Sequence, residues 1–409
     1  MNTPPLSLRG HQLLADSPIP EYIREHLVRS GDAAPDDPDR YVCLSIAQNL
    51  LMWDVLDEHL NDIREVQPAS IAYDDQLGSL VLRQQIAEFG SSHIWNRTVS
   101  ADNVAVLAGA GAVLELLFYV LADAGDGILV PTPSYAFYWT DIETRKDLTV
   151  IPVHTSSQDG FRLTPDLLEE AATSAEVPIK ALLLTNPDNP TGRLMPSEDL
   201  AACIEWARSR GIHTVVNGVY SLTTRETRRL TPVSSVVDDM GSDIHEIWAF
   251  SKDFAMSGLR AGVLVTQNKD ALAAIAEIAH WSVVSGDTQH LLTRMLSDRD
   301  WVGRYLAEMR KRLTTSYVVT TAALDAAGIP YLNGDAGLFV LADIRPFMTA
   351  ATWEEEHRIW RRILDKANVN VTPGSACHIV EPGFVRICFA TEPPDVVASA
   401  ISRIADVLG

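Results

Sequence analysis

A rhythm through the middle of this chain constrains its fold more than any other feature. From about residue 104 to residue 266, short runs of β-branched and other apolar residues recur with amphipathic stretches between them. The candidate strands are Val104–Leu107, Gly127–Val130, Leu148–Val153, Ala181–Thr185, His213–Val216, Glu246–Phe250 and Ala261–Thr266. Helical patterns such as LTPDLLEEAATSA and SEDLAACIEWARSRG lie between several of them, each ending in a small or polar breaker. Strands and helices alternating at this spacing predict a mostly parallel sheet covered on both faces. Such sheets bind ligands at the carboxyl ends of their strands, so the loops after these runs are where chemistry is to be sought.

The flanks read differently. After about residue 290 a long charged helix, roughly Asp300–Ala326, leads into the short segments GLFVLADIRP and FVRICFA, and a closing helix lies near Pro394–Val407. This is the pattern of a smaller α+β lobe. The first forty residues, rich in Pro, Asp and Gly around SGDAAPDDPDRY, read as an irregular arm with one short helix near Ile23–Val28. With 409 residues the chain is too long for one small core. The expected division is an arm over residues 1–55 joining the small domain, a large domain over 56–300, and a small C-terminal domain over 301–409.

Composition excludes some classes. Lys and Arg number 33 against 54 Asp and Glu, a net charge of −21, and that field repels a duplex phosphate backbone, so nucleic acid is not an expected partner. No run of about eighteen apolar residues is present, so no membrane span is expected. The opening MNTPPLSLRGHQLLADSPIP lacks the charged-then-apolar pattern of a signal peptide. Cys43, Cys203, Cys377 and Cys388 are widely spaced, without metal-ligand or disulfide-framework spacing, which fits a reducing cytoplasm and no bound metal.

Several segments carry chemistry. In AGAGAVLELL, Gly109, Ala110, Gly111 and Ala112 form a small-residue turn from strand to helix, where backbone N–H groups can approach a phosphate, although such turns also occur without a ligand. In Asn186-Pro187-Asp188-Asn189-Pro190-Thr191-Gly192 two prolines stiffen the loop and give Asn189 a set direction; an ordinary rigid turn would read the same. Lys252, between Ser251 and Asp253, sits in a tight loop beside a sheet. Desolvation there would lower its pKa and make it a nucleophile toward a carbonyl, whereas an isolated lysine would be a surface charge. Arg260, eight residues on, offers a fixed fork for a phosphate.

The NPDNPTG loop together with SKDFAMSGLRAG resembles the corresponding segments of class I/II aminotransferases. The resemblance implies an α/β fold: a mostly parallel seven-stranded sheet in a large domain that binds pyridoxal 5'-phosphate (PLP), aminotransferase fold type I, plus a smaller α+β domain. It implies PLP as cofactor, with Lys252 as the catalytic Schiff-base lysine. Asn189 and Tyr220 would contact the phenolic oxygen, Tyr220 also serving catalysis, and Tyr135 in PTPSYAFY would stack on the pyridine ring or belong to the core. Gly109 to Ala112, Ser251 and Arg260 would line the phosphate, and Asn217 would stand at the pyridine nitrogen. Arg386 in FVRICF would clamp the substrate α-carboxylate, with Asn189 and Gln48 beside the substrate.

The segments LSIAQNLLMWDVL, YDDQLGSLVLRQQIAEF, DAGLFVLADIRP and VNVTPGSACHIVEPGFVRICFA narrow the resemblance to 1-aminocyclopropane-1-carboxylate (ACC) synthases, which act on S-adenosylmethionine (SAM). By that likeness the protein would be a homodimer with shared sites, Tyr73 of one chain reaching the other's phosphate. Gln76 fills the position nearest the ACC synthase tyrosine.

Three departures bear on the reaction. Asn217 replaces the family's Asp, so the electron sink loses a full negative charge at the ring nitrogen. Gln48 replaces the Glu of the AEN segment, and Ala249 stands where a phosphate-binding Ser is usual. The implied reaction begins with γ-elimination of methylthioadenosine from SAM or a related amino acid. Ring closure could follow, or C–C bond formation between the four-carbon unit and a second small molecule such as a pyridinium-type acceptor, as in specialised biosynthesis. The rival readings are an ordinary aminotransferase and a non-catalytic PLP-binding pseudoenzyme.

Overall fold

The computed structural model describes residues 6–31, 39–225 and 228–409. Residues 32–38, the acidic centre of the arm's Pro/Asp-rich stretch, lie outside the described residues. The strands, numbered in chain order, are β1 Val42–Cys43, β2 Val104–Leu107, β3 Gly127–Thr132, β4 Thr149–His154, β5 Ile179–Thr185, β6 His213–Asn217, β7 Ile244–Ala249, β8 Gly262–Thr266, β9 Tyr331–Leu332, β10 Phe339–Asp343, β11 Val369–Asn370, β12 Thr372–Pro373 and β13 Phe384–Cys388.

Strands β2 to β8 form one seven-stranded sheet in the order β2-β8-β7-β6-β5-β3-β4. All neighbours pair in parallel except β8, which runs against both β2 and β7. Each of the seven runs expected from the sequence is a strand of this sheet. The alternation of side chains along a strand explains why both faces are apolar. Ile128, Val130, Leu183 and Val215 pack under helices Ala110–Leu121 and Lys269–Ile278. Leu129, Leu182, Leu184 and Val216 face helices Pro165–Ser174 and Ser197–Ser209. The sixth candidate strand, Glu246–Phe250, differs at both ends: the strand spans Ile244–Ala249, and Phe250 opens a short helix, Phe250–Asp253, that carries Lys252.

The second layer is an antiparallel sheet, β12-β13-β10-β9, packed with the helix Arg299–Ala326, about 42 Å long at 1.5 Å per residue. Asp298 caps that helix by accepting from the Trp301 N–H at 2.9 Å. The closing helix Pro394–Leu408 lies against it. The arm is stitched to this layer: β1 pairs in parallel with β11, and Arg361 meets Glu25 at 2.6 Å while Arg29 meets Asp365 at 2.7 Å.

The arm is less irregular than its composition predicts. Besides Glu21–Arg29 it holds a second helix, Leu8–Ala15, started by Ser7, whose hydroxyl accepts from the Gly10 N–H at 3.1 Å. That helix buries none of its residues, so it left no strong apolar period to read. No helix among the described residues is long and apolar enough to cross a membrane.

Candidate active site

The carboxyl ends of β5, β6 and β7 bring the chemically loaded loops to one place. Lys252, the third residue of the helix Phe250–Asp253, donates from Nζ to the Ala47 carbonyl at 2.5 Å. Burial lowers its pKa to about 8, and the nearby Arg386 and Arg260 guanidiniums push the same way. A neutral amine is thus within reach near neutrality.

An anion cradle lies beside it. Gly109 has φ +96°, a conformation that lets the chain turn from β2 into helix Ala110–Leu121 with its N–H groups free at the helix start. A Cβ on Gly109 would stand 2.5 Å from Arg260 Nη2, and one on Gly262 would stand 2.4 Å from the Gly109 backbone. Arg260 therefore lies directly over the small-residue turn, held by a hydrogen bond from Nη1 to the Ser257 carbonyl at 3.1 Å. Ser251 is buried beside Lys252, and Ala249, at the start of the same turn, presents no hydroxyl. Donor set, helix terminus and absence of side chains at Gly109 and Gly262 fit a phosphate monoester such as that of PLP.

On the other side of Lys252, Arg386 and Asn189 form a continuous chain with Tyr220. Arg386 donates from Nη1 to Asn189 Oδ1 at 2.9 Å, and Asn189 Nδ2 lies 3.4 Å from Tyr220 Oη. Arg386 Nη2 reaches the Ser45 carbonyl at 2.5 Å and Thr372 Oγ1 at 3.0 Å, while buried Nε has no partner. Arg386 is 2% exposed, and among the described residues no carboxylate pairs with it. A buried guanidinium held only by neutral acceptors is poised for an anion. The segment 45–48 serves both ends of the site: Ser45 faces Arg386, Ala47 faces Lys252, and the half-buried Gln48 accepts from Cys388 Sγ at 3.7 Å through its backbone carbonyl.

The Asn189 loop is rigid for stated reasons. Thr191 donates from Oγ1 and N to Asp188 Oδ2 at 2.5 and 3.2 Å, and Met195 N donates to Asn186 Oδ1 at 3.0 Å. Burial raises the Asp188 carboxyl to about 6. Asn217, at the end of β6, takes the Val219 N–H on Oδ1 at 3.3 Å and gives Nδ2 to Tyr138 Oη at 2.8 Å. Tyr135 is half-buried, edge-on to Tyr138 with ring centroids 5.3 Å apart.

Lys252, Asn189, Tyr220, Asn217, Tyr135, Arg386, Arg260 and the Gly109–Ala112 turn thus share one region. Tyr73 does not: it is fully exposed on the segment after Pro68–Ile71, and Gln76 nearby buries Oε1 without a hydrogen-bond partner. Two residues escaped sequence reasoning. Tyr22, on the arm helix, is 2% exposed; burial raises its hydroxyl to about 12 against the lowering effect of nearby Arg386. Tyr138 is the fourth residue and third aromatic after PTPS, with no pattern to tie it to Asn217.

The architecture is that of fold-type I PLP-dependent enzymes. Aspartate aminotransferase from Thermus thermophilus, solved with maleate, matches 99% of this chain and 100% of its own with a TM-score of 0.81 at 22% identity, which speaks for the fold alone. The chain belongs to the aminotransferase class I and II family, whose model matches residues 45–404. It is a PLP-dependent enzyme. Within the family it is 31% identical over 388 residues to 1-aminocyclopropane-1-carboxylate synthase of Malus domestica, covering 90% of this chain and 82% of that one. It is 33% identical over 396 residues to 1-aminocyclopropane-1-carboxylate synthase 6 of Oryza sativa subsp. japonica, covering 91% and 73%.

Proposed function

We propose that this enzyme acts on SAM or a related amino acid and expels methylthioadenosine from Cγ, after which the remaining four-carbon unit either closes to a ring or, the reading favoured here, forms a C–C bond with a second small molecule, for which a pyridinium-type electrophile is one candidate. The observation that carries the amino-acid part is the placement of desolvated Lys252 and acid-free Arg386 on the same backbone segment, Ser45 to Ala47. Arg386 holds the α-carboxylate through its fork, with Asn189 fixing the guanidinium plane. Lys252, whose pKa burial lowers to about 8, takes the Cα proton as general base in its neutral form. Asn189 and Tyr220 would hold the cofactor's phenolic oxygen, the Gly109–Ala112 turn, Ser251 and Arg260 its phosphate, and Tyr135 would lie against its ring. When bound, PLP supplies a ring that accepts the electron pair left at Cα. Loss of methylthioadenosine breaks the Cγ–S bond with the pair leaving on the neutralised sulfur.

The likeness to ACC synthases supports SAM as substrate. Gln48 and Asn217, amides where that branch carries carboxylates, favour transfer to an acceptor over ring closure. The division into an arm, a large and a small domain at residues 1–55, 56–300 and 301–409 is part of this reading, as is a homodimer in which Tyr73 of one subunit reaches the other's phosphate. The exposure of Tyr73 and Ile71 supports that last point.

The test is an absorbance titration of the PLP-loaded protein with SAM and with common amino acids. A change of the cofactor band with SAM alone, accompanied by methylthioadenosine on chromatography, upholds the proposal. Conversion to the pyridoxamine form by a common amino acid, with no response to SAM, makes the enzyme an ordinary aminotransferase.

A further inference from the structure

We propose that Tyr138 is a positioning residue that locks the Asn217 amide with its oxygen toward the cofactor's ring nitrogen, so that the nitrogen stays protonated without a carboxylate. The inference rests on the reading that places Asn217 at that nitrogen.

The orientation of the amide follows from donors and acceptors. A backbone N–H can only donate, so the atom it meets at 3.3 Å from Val219 is Oδ1. The other terminus is then the NH₂ group, which donates to Tyr138 Oη at 2.8 Å. Tyr138 Oη also lies 2.7 Å from Thr185 Oγ1. A hydroxyl that accepts from an amide must send its own proton elsewhere, and Thr185 Oγ1 is the acceptor within its reach. The three side chains form a one-way chain, Asn217 to Tyr138 to Thr185.

The two sides of the amide face different surroundings. Tyr138 and Thr185 line a cavity of about 150 Å³ with Thr155, Asp188 and Thr191. Val219, on the oxygen side, leads directly into Tyr220, which meets Asn189 in the Lys252 region. An amide oxygen can only accept, so a ring nitrogen that faces it is satisfied only when it carries its proton. Turning the amide over would oppose its NH₂ to the Val219 N–H, and Asn217 and Tyr138 are 5% and 1% exposed, too buried for water to repair the loss. The lock thus returns part of what the missing carboxylate would have given, and it does so with neutral groups.

The experiment reconstitutes the full-length protein with PLP carrying ¹⁵N in the ring and reads the nitrogen chemical shift by NMR near pH 7.5. The wild type should give a protonated-pyridine signal. Tyr138→Phe, which removes the acceptor, should move it toward the neutral position. Thr185→Val should move it the same way with the tyrosine in place, because the Tyr138 hydroxyl proton then loses its acceptor and competes with the Val219 N–H for the amide oxygen, and Thr185→Ser should restore the wild-type signal. Asn217→Asp should be protonated whether or not Tyr138 is present. A purely structural role for Tyr138 would leave the shift where it was. A neutral nitrogen in the wild type, or a wild-type signal in both Tyr138→Phe and Thr185→Val, overturns the proposal. If Tyr138→Phe does not fold, Thr185→Val alone decides. Wild-type protein with no cofactor band would overturn the reading of the site itself, a separate and recognisable failure.

Discussion

Arg386 Nη1 donates to Asn189 Oδ1 at 2.9 Å across 197 residues of sequence. The contact ties the last strand of the small sheet to the loop after β5, so the group that would hold a substrate carboxylate and the group that would hold the cofactor's oxygen are set by each other. Arg386→Lys keeps the charge but loses the planar fork. It should lower kcat/KM about ten- to a hundredfold, chiefly through KM, the size of one or two charge-assisted hydrogen bonds. Steady-state kinetics on the amino-acid substrate measure this, and an unchanged KM would detach Arg386 from the carboxylate.

Lys252 carries a pH signature. Burial lowers its pKa to about 8 in the folded protein, against about 10.4 for an ordinary lysine in the unfolded chain. Between these values the unfolded chain binds more protons, so the cofactor-free protein gains stability as pH rises through that window. Below about pH 8 the whole unfavourable contribution is present, on the order of 3 kcal/mol. Denaturant titrations of the cofactor-free protein at pH 7.5 and 10 should show this gain in wild type, and Lys252→Met should lose most of it. The rate of PLP capture should likewise rise through about pH 8.

Gly109→Ala tests the cradle. The new Cβ would meet Arg260 Nη2 at 2.5 Å at a position with φ +96°. Strain of about 1–3 kcal/mol at such a residue corresponds to a five- to more than hundredfold weaker cofactor affinity. Fluorescence titration with PLP reads it directly, and wild-type affinity would place the phosphate elsewhere.

If Tyr73 acts across a dimer, then Tyr73→Ala and Lys252→Ala proteins, each impaired alone, should recover part of the activity when co-expressed. One site of each mixed dimer then receives both native residues. No recovery, or a monomer in sedimentation, would remove Tyr73 from the site.

The large sheet was legible because parallel strands buried on both faces read as continuous apolar runs. Ile128 to Val130 and Ala181 to Leu184 are examples, with alternate residues going to opposite layers. The loops that carry Asn189 and Lys252 were legible because their motifs are dense. Tyr22 was not, since its burial depends on the arm folding back beside Arg386, a contact that leaves no local pattern. Nor was Tyr138, whose partner Asn217 lies 79 residues away. The end of β7 was misplaced at Phe250 because an apolar residue that leaves a strand for a buried helix is still apolar.

The amides at 48 and 217 bear on product. Restoring both carboxylates with Gln48→Glu and Asn217→Asp should raise the ring-closed fraction of product several-fold over wild type when SAM is supplied with an acceptor. Chromatography of the amino-acid products measures this, and an unchanged product ratio would mean that these positions do not choose between the two fates.

The most direct test of the account is to incubate the PLP-loaded enzyme with SAM and measure methylthioadenosine by chromatography, with Lys252→Ala in parallel. The account expects methylthioadenosine from the wild type and none above background from the variant. Wild-type enzyme that binds PLP yet releases no methylthioadenosine, with or without acceptors, would contradict it.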